Sequence, residues 1–214
     1  LHRYALIFSN CAFIGIPMVE MVMGREYLFQ LTIYNIPFYL FAYSLGAWLI
    51  TRKQSGSFVL SYKTFLSPCI IATLIGFVLF LLSIPLPTVL YQVFEMAGSM
   101  TSPLSILVIG INLAGTTRRA LMGRWQIYVT VLARTLLMPL VIALLLYFAG
   151  LRGAALVLPV LVAAMPVAAS SSLITSAFDG DSHESGALIF LSTLFSAVTL
   201  PLVAFIIYRF AGSF

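Results

Sequence analysis

The stretch Ser9-Asn10-Cys11-Ala12-Phe13-Ile14-Gly15-Ile16-Pro17-Met18 decides how this sequence is read. It lies within an apolar run, yet it carries Asn10, Gly15 and Pro17. Proline lacks an amide donor and its ring clashes with the preceding turn, so a helix entering from Tyr4 is predicted to break near Gly15–Pro17. In water such a break is only a helix end. In lipid it bares backbone carbonyls, which is tolerated only where protein or a water-filled cavity covers them. Two questions follow: whether the chain lies in lipid, and whether the break has a partner.

Composition answers the first. Of 214 residues, 62% are hydrophobic and 8% are charged, and the mean hydropathy is +1.10. Soluble domains carry about 25% charged residues. A soluble fold of this length cannot hide so much apolar surface. The net charge of +5 would suit nucleic acid in a soluble protein, but here the basic residues punctuate apolar runs, which indicates membrane topology. Cys11 and Cys69 each fall in an apolar segment, as small packed hydrophobes do, and suggest neither a disulfide framework nor a metal cluster.

A membrane helix needs roughly 20 apolar residues. Seven spans are predicted: Tyr4–Val22, Tyr27–Ile50, Phe65–Ser83, Val89–Thr116, Trp125–Phe148, Ala154–Phe178 and Ser185–Tyr208. The polar connection Thr51–Thr64 is the best internal boundary. In alternating loops, one side collects seven cationic residues (Arg3, Arg52, Lys53, Lys63, Arg118, Arg119, Arg124) and the other three (Arg25, Arg152, Arg209). The richer side is expected to be cytoplasmic, with the C-terminus outside. No cleavable signal pattern opens the chain.

The break has a counterpart. The sixth span reads L-P-V-L-V-A-A-M-P-V-A-A-S-S-S-L-I-T-S, with Met165-Pro166 in its middle and Ser170, Ser171 and Ser172 after it. The first and sixth spans run in opposite directions, and each is followed by one plain apolar helix. Paired breaks in inverted halves point to a secondary-transporter site. The predicted fold is therefore an all-α polytopic membrane protein with an inverted repeat and two proline-broken crossing helices. Residues 1–50 form the last two spans of the first repeat, 51–64 a cytoplasmic linker and 65–214 a second repeat of five spans. The same count expects three further spans, about 90 residues, ahead of Leu1 and ten in all.

After each proline, a half-helix would begin near mid-membrane with free amides and the positive end of its dipole. Those amides are expected around Met18 to Glu20 and Val167 to Ser170. Two such ends facing one spot would favour an anion. Asn10 and the three serines add hydrogen-bonding groups. The competing reading is that the prolines merely kink packed helices and the serines permit close approach. Ser102, Asn112 and Arg134 are candidates to line the same cavity. Arg134 lies deepest; it either pairs with Glu95, contributes positive potential, or snorkels. Glu20 and Glu95 fit interfacial positions. Asp179, Asp181, His183 and Glu184 resemble a metal cluster, but a solvated turn has the same composition.

F-S-N-C-A-F-I-G-I-P-M followed by M-G-R-E-Y resembles the N-x-x-F-x-G-x-P segment of the auxin efflux carrier family and its bacterial relatives. P-L-S-I-L-V-I-G-I-N-L-A and A-A-M-P-V-A-A-S-S-S-L-I-T resemble that family's seventh and ninth spans. The likeness covers essentially the whole chain, as spans four to ten of ten. It implies a fold similar to bile acid sodium symporters, with a scaffold and a transport domain. It also implies that Asn10 and Pro17 belong to one crossing helix and Met165 and Pro166 to the other. Plant members export auxin and bacterial relatives are thought to carry dicarboxylates. Serines here replace the asparagine that accompanies the second crossing in plant members, which argues against auxin itself.

The resulting expectation is a carrier of a small organic anion, a carboxylate or dicarboxylate, in the plasma (inner) membrane. The alternative is a membrane sensor using the same pocket without flux. An intramembrane enzyme lacks its signatures: no His-rich cluster, paired aspartates or G-x-S-x-G element occurs. Expected partners are the anion and the lipid bilayer, with a homodimer as an option and no nucleic acid. No cofactor is implied, and the sequence does not fix whether Na+ or H+ is the coupling ion.

Overall fold

The structure, a computed structural model, describes residues 1–46, 48–50, 68–100, 103–104, 107, 110–111, 124–177 and 182–211. The predicted linker 51–64 lies outside them. The described residues are helical apart from turns and one isolated antiparallel bridge. In chain order the helices are α1 (His2–Ile7), α2 (Gly15–Val22), α3 (Arg25–Ile50), α4 (Pro68–Leu81), α5 (Thr88–Ser99), α6 (Trp125–Phe148), α7 (Ala154–Ala164), α8 (Ser170–Ala177) and α9 (Ser182–Ala211).

Among the described residues, three stretches are long and apolar enough to cross a membrane: Arg25–Ile50, Trp125–Phe148 and His183–Arg209. They coincide with the second, fifth and seventh predicted spans. Two further predicted spans are each divided between a pair of short helices, α1 with α2 and α7 with α8.

The sorting of residues explains the packing. On α9, Leu194, Val198, Leu202 and Phe205 are exposed, at the three- and four-residue spacing of one helix face. Ser185, Ser192, Ser196 and Thr199 are buried on another face. On α6, Ile127, Thr130, Val131, Arg134 and Thr135 make a buried stripe, while Trp125, Val129, Leu132, Leu136 and Leu140 are exposed. Apolar residues on the outer face and small or polar residues within are the arrangement expected where lipid, not water, is the solvent. Helix α7 is enclosed beyond its first two residues, with Leu156, Val157, Leu158, Val160, Leu161, Val162, Ala163 and Ala164 all buried and Pro159 half-buried, and it forms the hub of the core.

Both interruptions lie in that core. Phe8, Cys11, Met165, Val167 and Ala168 are buried and join its three apolar clusters. The second interruption falls at Met165-Pro166. Met165 is extended (φ −67°, ψ 151°), as the residue before a proline is biased to be. The first interruption differs from the sequence expectation. Helix α1 already ends at Ile7, and Pro17 lies within the first turn of α2. There its missing donor costs nothing. The break is set instead within Phe8–Ile14, where the backbone of residues 8–10 pairs with the other interruption.

Helix α6 carries a local widening at Ala133–Leu137, where the Met138 amide donates to Ala133 O, five residues back. Pro139 follows and has no amide for the Thr135 carbonyl. Arg134 sits on this widened turn.

Candidate functional site at the crossing

The two interruptions meet through their backbones. Ser9 and Val167 form an antiparallel bridge. Asn10 N donates to Pro166 O at 2.8 Å, and Ala168 N to Phe8 O at 3.2 Å. Non-helical backbone in a membrane needs such partners. The neighbouring long helices supply more. Val167 N donates to Ser192 Oγ of α9 at 3.0 Å. Arg134 of α6 donates from Nε to Met165 O at 3.2 Å and from Nη1 to Leu6 O at 2.8 Å.

Several polar groups at the crossing stay unspent. Asn10 is 4% exposed, and its Nδ2 has no partner; nor does Oγ of the fully buried Ser171. The backbone amides of Ala12, Phe13, Ala169 and Ser170 meet no acceptor among the described residues. These amides flank the first turns of α2 and α8, where helix dipoles are positive. Buried polar atoms without partners are uncommon, and each calls for an explanation. The atoms named here are donors or hydroxyls, the complement of an anion's oxygens.

The free amides are not those expected around Met18 to Glu20, because Met18 N is bonded to Ile14 O at 3.1 Å. In the second break, Val167 and Ala168 are consumed by Ser192 and Phe8, which leaves Ala169 and Ser170 of the expected Val167–Ser170 set.

The other predicted residues fall as follows. Gly15 opens α2 against Met165: a Cβ on it would lie 3.1 Å from Met165 Sδ, so the glycine permits the close approach. Pro17 is two residues further along, within the first turn of α2, and Pro166 supplies a bridging carbonyl. Of the three serines, Ser170 Oγ is bonded to Tyr4 OH at 2.8 Å and Ser172 Oγ donates to Ala169 O at 2.9 Å. Only Ser171 keeps a free hydroxyl. Ser102 and Asn112 lie outside the described residues. Arg134 does not pair with Glu95, which is exposed; its guanidinium serves two carbonyls, for the reason developed below. Glu20 pairs with Arg25 at 2.9 Å near the surface. Glu184 is held by His2 at 3.1 Å and Arg124 at 3.1 Å. Asp179 and Asp181 lie outside the described residues, and no metal-binding group occurs among the described ones.

Two contributors escaped the sequence reading. Ser192 belongs to the polar set Ser192, Ser196 and Thr199 on an otherwise apolar helix, and that spacing was the available signal. Tyr4 gave none.

All-helical architecture with long apolar helices around a buried backbone crossing defines a polytopic membrane protein. A family profile described as membrane transport protein matches residues 4–204. The chain belongs to that family, the auxin efflux carrier family, whose members are membrane transporters rather than enzymes. No curated protein matches the chain.

Proposed function

We propose that this chain forms the core of a secondary transporter for a small organic anion, a carboxylate or dicarboxylate, held beside the crossing of the two interrupted spans. The observation that carries the reading is the bridge Ser9–Val167 with unspent donors on both sides: Asn10 Nδ2, Ser171 Oγ and the amides at 12–13 and 169–170. An anion there needs no countercharge from a lysine of the site itself, since oriented amides and half-helix dipoles supply the positive potential. The two interrupted spans are corresponding elements of an inverted repeat within a ten-span protein. Alternating access moves the crossing past a fixed scaffold in the plasma membrane, with the C-terminus outside.

The test is counterflow in proteoliposomes made with the full-length protein and a panel of radiolabelled mono- and dicarboxylates. Accumulation of one or more against unlabelled internal substrate is the expected result. Saturable binding without counterflow would replace the transporter with a sensor. Neither binding nor flux for any carboxylate would remove the anion assignment.

A further inference from the structure

Arg134 is 2% exposed, and no carboxylate faces it among the described residues. A guanidinium remains charged at physiological pH, and burying it unpaired is costly. Its surroundings explain how it is kept. The Leu6 carbonyl lies in the last turn of α1, and its helical donor would be the amide of Asn10. That amide is diverted to Pro166 O by the crossing. The freed Leu6 carbonyl takes Arg134 Nη1 instead. The Met165 carbonyl lies just beyond the end of α7, and its helical donor would be the amide of Ala169, which makes no such bond. It takes Arg134 Nε. One cation therefore bridges the carbonyl-rich ends of α1 and α7, which come from the two different interrupted spans. Carbonyl ends of interrupted helices are where carriers with crossing helices can hold a metal cation.

We infer that Arg134 is a tethered cation that occupies this place, so that the crossing is held closed without a bound metal ion and transport does not require Na+. The inference rests on the transporter reading only for its second half. The first half concerns the crossing itself and is read without any substrate. Widening of α6 at Ala133–Leu137 aims the side chain between the two carbonyls, and the long planar guanidinium spans both at once, as an ammonium does less well.

Amide exchange of the full-length protein in nanodiscs tests the first half. In the wild type, protection over Phe8–Ile14 and Met165–Ser172 is expected to be the same in sodium chloride and in choline chloride. Arg134→Gln is expected to speed exchange there by about a hundredfold, from the loss of two charge-assisted bonds, and to leave Met138–Phe148 unchanged. Arg134→Lys is expected to recover part of the protection. Added ethylguanidinium is expected to restore it in Arg134→Ala but to do nothing to the wild type. Wild-type protection that requires Na+ would overturn the inference. So would unchanged protection in Arg134→Gln, or, should that variant fail to fold, no recovery with either lysine or ethylguanidinium. Counterflow of radiolabelled malonate in sodium and in choline buffers tests the second half, with equal wild-type rates expected. A rate that collapses in choline overturns it. Absence of flux for every carboxylate defeats the transporter reading, while the exchange measurements still decide the role of Arg134.

Discussion

Replacing Ser192 by alanine is expected to loosen the crossing from a distance, through one hydrogen bond. Val167 is the central residue of the bridge, and its amide donates to Ser192 Oγ at 3.0 Å. Both residues are fully buried, so the substitution leaves an amide facing neither water nor acceptor. A buried donor left in this way costs about 1–3 kcal/mol. The hydroxyl's own donation, to Ile189 O at 3.1 Å, subtracts little when lost, because that carbonyl also accepts from Thr193 Oγ1 at 2.7 Å. The net effect is about 2 kcal/mol, or about thirtyfold in the local opening equilibrium.

Ser196→Ala is the matched control. Ser196 is also buried, but its hydroxyl bonds only the Thr193 carbonyl of its own helix, and its loss is expected to cost less than about 0.5 kcal/mol. Amide exchange followed by mass spectrometry in nanodiscs, read over Met165–Ser172, separates the two. Faster exchange in Ser192→Ala alone supports the reasoning. Indistinguishable exchange in the two variants would refute it.

Other substitutions probe different contacts. Gly46→Ala would set a Cβ 2.6 Å from Tyr4 Cε2 and 2.9 Å from Phe8 Cε2; both rings are buried, so the thermal unfolding midpoint should fall by the equivalent of about 1–3 kcal/mol, and an unchanged midpoint would contradict the close approach. Gly15→Ala meets the flexible Met165 side chain at 3.1 Å and should cost under about 1 kcal/mol in stability, with any effect appearing in flux. Glu184→Gln removes the pairings with His2 and Arg124, whose side chains are 30% and 60% exposed; the loss should be about 0.5–1 kcal/mol in dilute buffer and shrink in high salt, so a salt-independent loss would point to packing instead.

That both stretches are interrupted was legible because each carries proline, small and polar residues in a run that lipid would otherwise keep apolar, although only the second interruption, at Met165-Pro166, falls at its proline. The position of the first break was not. Pro17 pointed to Gly15–Pro17, whereas α1 ends at Ile7, because backbone pairing between residues 8–10 and 166–168 competes with the helix. That pairing is a contact between residues over 150 positions apart in the chain, and no local rule reveals it. The depth of Arg134 could be read from its span, but its partners could not. They are carbonyls freed by the crossing, and any residue type supplies a carbonyl. A carboxylate partner such as Glu95 was visible to sequence reasoning and turned out to be irrelevant to Arg134.

Counterflow of radiolabelled carboxylates by Asn10→Ala, set beside Cys69→Ala, is the most direct test of an anion site at the crossing. Asn10 Nδ2 is a buried donor awaiting a partner, and it lies next to the bridge. Flux reduced by about tenfold or more in Asn10→Ala, with Cys69→Ala near wild type, is the expected result. Equal, near-wild-type flux in both would contradict the account.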